Sequence, residues 1–153
     1  MLSRLLFLLA LIAFSSSVWG AELEQISEDL GCYPEDGAGE FGWVIRDEAT
    51  HNEVCIFAQF PRGKSEHPYV RVQGKNIKLS RISERSNLPG RWKAEEVFIN
   101  RAAKLKVHLK SRLARDSCEE VQDQCCGQEY EGLLEVSDPG GRKVYKVTRW
   151  SGS

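Results

Sequence analysis

One stretch of the chain alternates basic and apolar side chains without interruption: Lys104-Leu105-Lys106-Val107-His108-Leu109-Lys110. Successive side chains of an extended strand point to opposite faces, so Leu105, Val107 and Leu109 are predicted to face a core. A helix would spread the same apolar residues around its axis. The stretch therefore predicts a β-strand with one buried face and one basic face.

Further strands are predicted on both sides of this one. Short runs rich in β-branched and aromatic residues alternate with turn-forming residues, which is typical of antiparallel β-proteins. The connectors Gly74-Lys75-Asn76 and Asp138-Pro139-Gly140-Gly141 are short enough for hairpins, so a meander is the simplest topology. The predicted strands are 42–47, 53–60, 69–73, 77–82, 91–100, 104–115, 130–137 and 142–150.

The predicted fold is mainly β, with about eight strands in a single antiparallel barrel or a two-sheet sandwich. The sequence does not choose between these two architectures. A short N-terminal helix is also predicted over residues 22–31, because Leu23, Ile26 and Leu30 recur at helical spacing and Gly31 suits a helix end.

The first twenty residues have the layout of a secretory signal peptide. Arg4 precedes an apolar run over residues 5–14, and small residues lead to a predicted cleavage after Gly20. The run is about half the ~20 residues that a membrane-spanning helix needs, and no later segment approaches that length. We therefore expect a signal peptide at 1–20 and a single β-rich domain at 21–153, exported to the periplasm or secreted, with no transmembrane segment.

The five cysteines all follow the predicted signal peptide, where an exported chain meets oxidising conditions. Five cysteines allow at most two internal disulfides, and many pairings are open. We favour Cys32 with Cys55, and Cys118 with either Cys125 or Cys126, because each pair closes a local loop. Their spacing does not match a thiolate metal site, and no metal or other cofactor is predicted.

The charges are unevenly distributed. Residues 21–60 carry ten acids and one base, residues 61–115 carry four acids and fifteen bases, and residues 116–153 carry eight acids and four bases. One interpretation is that acidic and basic segments neutralise each other across neighbouring strands. The other is that a basic face is kept for an acidic partner, since a surface of one sign steers association.

The basic segment is the predicted binding surface. Its residues lie on the polar face of the strand at 104–115 and in the loop over residues 83–92, where two arginines accompany a tryptophan. Arginine and tryptophan are enriched at binding hot spots. Nucleic acid is not the expected partner of an exported, slightly acidic protein. The predicted binding residues are Arg85, Arg91, Trp92, Lys104, Lys106, Lys110 and Arg112.

No catalytic motif is present, so no catalytic residue is predicted. A Gly-x-Ser-x-Gly sequence is absent, and His51, His67 and His108 stand in separate segments. His108 is expected to be solvated on the polar side of its strand. The acidic pair Glu95-Glu96 is expected to belong to a solvated face.

Residues 72–79 followed by 86–92 resemble, in their order, the glycine-turn hairpin and following loop of small periplasmic β-barrel inhibitors of C-type lysozyme. The Ser-Gly-x-x-Tyr motif of those inhibitors is absent, so the chain is not assigned to that family. The leading hypothesis is a protein-binding module, such as an inhibitor of a secreted hydrolase or an immunity factor against one, whose partner has an acidic surface or cleft. The alternatives are a small-ligand-binding barrel and, third, an enzyme.

Overall fold

The computed structural model describes residues 20–26, 42–46, 49–59, 67–117 and 127–152. Nine strands in these residues form one antiparallel sheet with the order β4-β3-β2-β1-β9-β8-β7-β6-β5. Strands that follow each other in sequence lie side by side, as the predicted meander requires, except for the fourth and fifth strands, which form the two ends of this order. The strands are β1 (Gly42–Arg46), β2 (Glu53–Ala58), β3 (Tyr69–Val72), β4 (Lys75–Lys78), β5 (Ser80–Arg85), β6 (Ala94–Asn100), β7 (Leu105–Asp116), β8 (Gly127–Asp138) and β9 (Gly141–Gly152).

The sheet curls into a nearly closed barrel because one chain segment supplies both of its ends. Leu79 alone separates β4, which pairs with β3, from β5, which pairs with β6. The Leu79 amide donates to the Pro68 carbonyl at 2.8 Å, and the Asn100 side-chain amide donates to the Lys78 carbonyl at 2.8 Å. The prediction of a mainly β, antiparallel fold is confirmed, and of the two predicted architectures the structure is the barrel.

The predicted strands agree with the observed ones except at the closure. Seven of the eight correspond to single strands, whereas predicted strand 77–82 is divided at Leu79 into parts of β4 and β5. The turn before it also differs from prediction. Gln73 and Gly74 form the turn, both with positive φ (50° and 73°), and Lys75 already pairs with Val72. Two consecutive residues with positive φ are what a tight two-residue hairpin turn requires.

The first part of the predicted N-terminal helix is extended instead. Residues 22–26 contain no helical turn, and Glu24 forms an isolated antiparallel bridge with Arg71. The Leu23 amide donates to the Tyr145 hydroxyl at 2.8 Å, and the Ile26 amide donates to the Cys55 carbonyl at 2.9 Å. Hydrogen bonds to the barrel thus hold this segment in an extended conformation. Leu23 and Ile26, whose spacing suggested a helix, are still buried. Residues 27–31 of that prediction lie outside the described residues.

The barrel interior is a packed apolar core. Leu105, Val107 and Leu109 are buried in it, as their alternation predicted. Ala21 and Leu23 belong to the same cluster, so the N-terminal segment covers part of one barrel end. The largest fully buried side chains of this core are Trp43, Phe57, Phe98, Ile56, Leu79, Leu109, Leu134, Val70, Val107 and Val136. A second, smaller buried cluster contains Ile26, Val44, Cys55 and Ala58.

Cys55 is buried in β2 and is disulfide-bonded. Cys32, Cys118, Cys125 and Cys126 lie outside the described residues, so the predicted pairings stay predictions. The described residues include no helix that is both long and apolar enough to cross a membrane.

Candidate functional site

Strand β7 carries the centre of the predicted binding surface on its outward face. Lys106, His108, Lys110 and Arg112 alternate with buried residues along the strand, and therefore share this face. The outward neighbours come from β6 and β8: Glu95 lies directly opposite Lys110, and Glu131 lies directly opposite Arg112. The face is therefore a mixture of bases and acids contributed by different strands.

Glu131 forms ion pairs with two of the predicted binding arginines, Arg91 and Arg112. Its Oε1 accepts a hydrogen bond from Arg112 Nε and another, at 3.2 Å, from an Arg91 guanidinium nitrogen. The Arg91 guanidinium also lies over the Trp92 ring, 5.0 Å from its centroid. The hydrogen bond from Arg112, with that from Arg91, holds the pKa of the Glu131 carboxyl below its ordinary value. Glu131 thus fixes Arg91, Trp92 and Arg112 as one group.

Glu95 forms a second group with Arg85 and His108. Arg85 donates to one carboxylate oxygen, and His108 Nε2 lies 2.5 Å from the other. The Arg85 hydrogen bond is the main reason that the pKa of Glu95 is lowered. The His108 side chain is 19% exposed, so the expectation of a freely solvated histidine is wrong. The prediction failed because the partner carboxylate, Glu95, comes from the neighbouring strand β6 and is not near His108 in the sequence.

Lys104, Lys106 and Lys110 differ from the arginines, because none of them makes an ion pair with any residue that the structure describes. Lys110 lies between the two glutamate groups. Lys104 lies in the turn before β7, with φ of 51°, whereas Arg112 lies in the second half of the strand. Eight residue-to-residue steps at ~3.3 Å each place them roughly 26 Å apart. The structure therefore places Lys106, Lys110 and Arg112 in one row along β7 and leaves Lys104 outside the strand, in the preceding turn.

The loop that carries Arg91 and Trp92 joins β5 to β6. Asn87 and Gly90 adopt positive φ, 53° and 89°. The Leu88 amide donates to the Lys93 carbonyl at 3.0 Å, and the Lys93 amide donates to the Ser111 carbonyl at 2.9 Å. Backbone hydrogen bonds thus anchor the loop to itself and to β7, which presents Trp92 in a defined position.

Sequence reasoning missed a polar network inside one end of the barrel. Adjacent residues of a strand face opposite sides, so Glu95 faces out while Glu96 faces in. The inward Glu96 accepts a hydrogen bond from the Gln59 side-chain amide at 2.8 Å, and Gln59 in turn accepts one from Trp43 Nε1 at 2.7 Å. The prediction of a solvated Glu95-Glu96 pair is wrong for both residues. The spacing to Phe98 could have corrected this prediction: Phe98 lies two residues after Glu96 on the same strand face and is buried.

Arg81 and Arg149 complete this network. Arg81 lies 3.2 Å from a Glu96 carboxylate oxygen. The Arg149 guanidinium donates to Gln59 at 3.1 Å and lies between the rings of Trp43 and Tyr130, 4.9 Å from each centroid. The arrangement satisfies both polar atoms of the buried Gln59 side chain and stacks a cation on two rings, and both interactions stabilise the fold. Within the described ranges, no group of three His, Cys, Asp or Glu residues is arranged to hold a metal ion.

Acid is expected to weaken the fold through Glu95 and Glu131. Both carboxyls have a pKa below their ordinary value of 4.5, so the stability they contribute is fully present above that value and is lost as the pH falls through the lower folded value. The partners are partly exposed, so we expect roughly 0.2–1 kcal/mol per pair. Urea unfolding between pH 6 and 3 should show a shallower loss of stability for Glu95→Gln/Glu131→Gln than for the unchanged protein. Glu129→Gln, at an exposed position of β8, is the control, and equal slopes for all three proteins would contradict the prediction.

Comparison with known proteins adds no assignment: no family model matches the chain, and neither the curated proteins nor the solved structures contain a significant match.

Proposed function

We propose that the protein is an exported protein-binding module, such as an inhibitor of a secreted hydrolase or an immunity factor against one. Its contact surface is the basic face, defined as the outward side chains Arg85, Arg91, Trp92, Lys106, His108, Lys110 and Arg112. The partner is a protein with an acidic surface or cleft.

The excess of positive charge on this face carries the proposal. Three carboxylates stand on this face: Glu95 and Glu131 form ion pairs with its arginines, and Glu135 lies opposite His108 and 3.5 Å from Arg142. The five Lys and Arg side chains of the face outnumber them. Glutamates from neighbouring strands thus neutralise part of the positive charge of this face, and a net positive charge remains. The ion pairs hold the arginines in place, while Lys106 and Lys110 keep ammonium groups without an ion pair to any described residue. A fixed surface of one net sign favours an oppositely charged partner and speeds the encounter.

The alternative of a small-ligand-binding barrel is less well supported. A barrel that holds a ligand keeps a lumen or an open mouth. Here Trp43, Phe57 and Phe98 fill the interior with at most 1% of their surfaces exposed, and Ala21 and Leu23 pack against the same core. These side chains occupy the space that a ligand would need.

Export is part of the proposal and rests on the sequence of residues 1–20. Ala21, the first residue of the expected mature chain, is buried against the barrel, so cleavage after Gly20 would precede packing of the new amino terminus. The test is N-terminal sequencing of the protein recovered from the envelope of expressing cells. A mature chain beginning at Ala21 supports export, whereas an intact Met1 contradicts it.

The binding function is tested by capture from an envelope fraction, followed by elution at high salt and mass spectrometry. Lys106→Glu/Arg91→Glu is expected to reduce recovery of the partner at least about tenfold, because like charges facing each other across an interface cost several kcal/mol. The matched control is Lys75→Glu/Lys146→Glu, which reverses two exposed cations outside the basic face. Circular dichroism of both variants checks that the barrel is intact. Equal recovery with both variants would overturn the proposal.

A further inference from the structure

A groove lies on the outside of the barrel beside its closure point. Its volume is about 420 Å³, within the range of ~300–1,000 Å³ for ligand pockets. It lies where the end of β6 meets the β4–β5 segment. The residues that line it are Lys78, Ser80, Ile82, Ile99, Asn100 and Arg101.

The apolar floor of this groove comes from a β-bulge. The β5–β6 register shifts between Arg81 and Ser83, so Ile82 is an extra residue on its strand. Ile82 is 57% exposed, the largest fraction among the exposed large apolar side chains. Ile99 lies beside it and is half-buried. Together they form the aliphatic part of the groove, whose other lining residues are polar or charged.

Cations border the apolar floor. Lys78 and Arg101 line the groove itself, and Lys106 lies directly opposite Ile99 in the β6–β7 pair. Within the part of the chain that the structure describes, none of the three makes an ion pair and no acidic residue lines the groove. The groove therefore combines an apolar surface with cations that have no ion pair, in contrast to Arg85, Arg91 and Arg112, which pair with glutamates.

We propose that this groove is the docking site for an acidic segment of the partner protein, with one aliphatic side chain seated between Ile82 and Ile99 and flanking carboxylates at Lys78 and Arg101. This inference rests on the proposed function, since it specifies what the partner presents to one end of the basic face. Charge complementarity selects an acidic occupant. The two-residue aliphatic part of the groove selects a peptide side chain, because a membrane surface would call for a wider apolar area.

The direct test is an NMR titration of the purified protein, expressed from its full-length sequence, with synthetic peptides. The probe is acetyl-Glu-Asp-Leu-Asp-Glu-amide. The matched peptides replace Leu with Gly, or replace every acid with its amide. We expect the probe to shift the amide signals of Ile82 and Ile99 and to bind at least tenfold more tightly than either matched peptide. Binding should fall at least tenfold in Lys78→Glu/Arg101→Glu and remain unchanged in Lys75→Glu/Lys146→Glu.

Other results of the titration overturn the inference. Signal shifts confined to residues away from the groove, or equal affinity for all three peptides, exclude an acidic segment as its occupant. Self-association that Ile82→Glu relieves would assign the groove to a second copy of this chain. Binding to phosphatidylglycerol vesicles without binding of the probe would assign it to a lipid surface.

The capture experiment separates this inference from the proposed function. Loss of the partner with both Lys106→Glu/Arg91→Glu and Lys78→Glu/Arg101→Glu supports both. Loss with the first variant alone overturns the role of the groove and leaves the proposed function standing. Loss with neither overturns the proposed function and, with it, the groove as a partner site.

Discussion

Replacement of Leu79 by alanine is expected to lower the free energy of unfolding by about 2–5 kcal/mol, as for other buried Leu→Ala changes. Leu79 is 0% exposed and lies where β4 passes into β5. A cavity at this point removes packing from the one segment that bonds to both β3 and β6. The loss should therefore extend beyond stability, with faster amide exchange in β4 and β5 than in β7 and β8.

Urea unfolding followed by circular dichroism measures the first effect, and hydrogen exchange measures the second. Leu113→Ala is the matched control, because Leu113 is 43% exposed. If Leu79→Ala lowers the free energy of unfolding no more than this control does, then Leu79 does not stabilise the closure of the barrel.

Replacement of Trp43 by alanine is the second large effect, at about 3–5 kcal/mol. The ring is 1% exposed, and it packs so closely on β8 that a Cβ atom added at Gly132 would lie 3.1 Å from it. Trp43 also donates to Gln59 and supports the Arg149 guanidinium on its ring face. The alanine variant therefore loses core volume and one side of the polar network together.

A phenylalanine at the same position separates these contributions. Trp43→Phe keeps most of the ring and still leaves Gln59 with a hydrogen bond from Arg149, so it should cost clearly less than Trp43→Ala. Trp150→Ala, at a tryptophan that is 39% exposed, should also cost less. Urea unfolding with hydrogen exchange gives the comparison. Similar losses for all three variants would show that the Trp43 ring is not a principal core residue.

The alternation around β7 was enough to predict its strand and its two faces. Leu105, Val107 and Leu109 are buried, and the bases between them face outward. Neighbouring residues alone determine this alternation, because successive side chains point to opposite faces of the strand and the apolar face is the one that is buried. The turn at Asp138 was predictable for a similar reason, since its carboxylate bonds the amides of Gly140 and Gly141 within the turn.

The N-terminal segment shows how a correct apolar pattern can suggest the wrong backbone. Leu23 and Ile26 are buried, as the spacing required, but their amides bond to Tyr145 and Cys55. An isolated helix this short is unstable in water, so partners from the barrel decide its conformation.

The candidate site was predicted as a surface but not as an arrangement. The sequence placed bases on one face of β7, yet Arg91 and its partner Glu131 are 40 residues apart. Which cation meets a carboxylate depends on the register between strands, and this depends on the whole sheet. The bulge at Ile82 likewise appears only when β5 is aligned with β6.

By itself, the sequence determined that the chain forms an antiparallel β-meander and which residues of its central strand face the core, because these follow from spacing between near neighbours. Only the tertiary structure decided that the sheet closes into a barrel at Leu79, that Glu95 meets His108 and Glu96 meets Gln59, and that Arg91 and Arg112 share Glu131. These features depend on contacts between residues far apart in the chain, and such contacts exist only once the strands are in register.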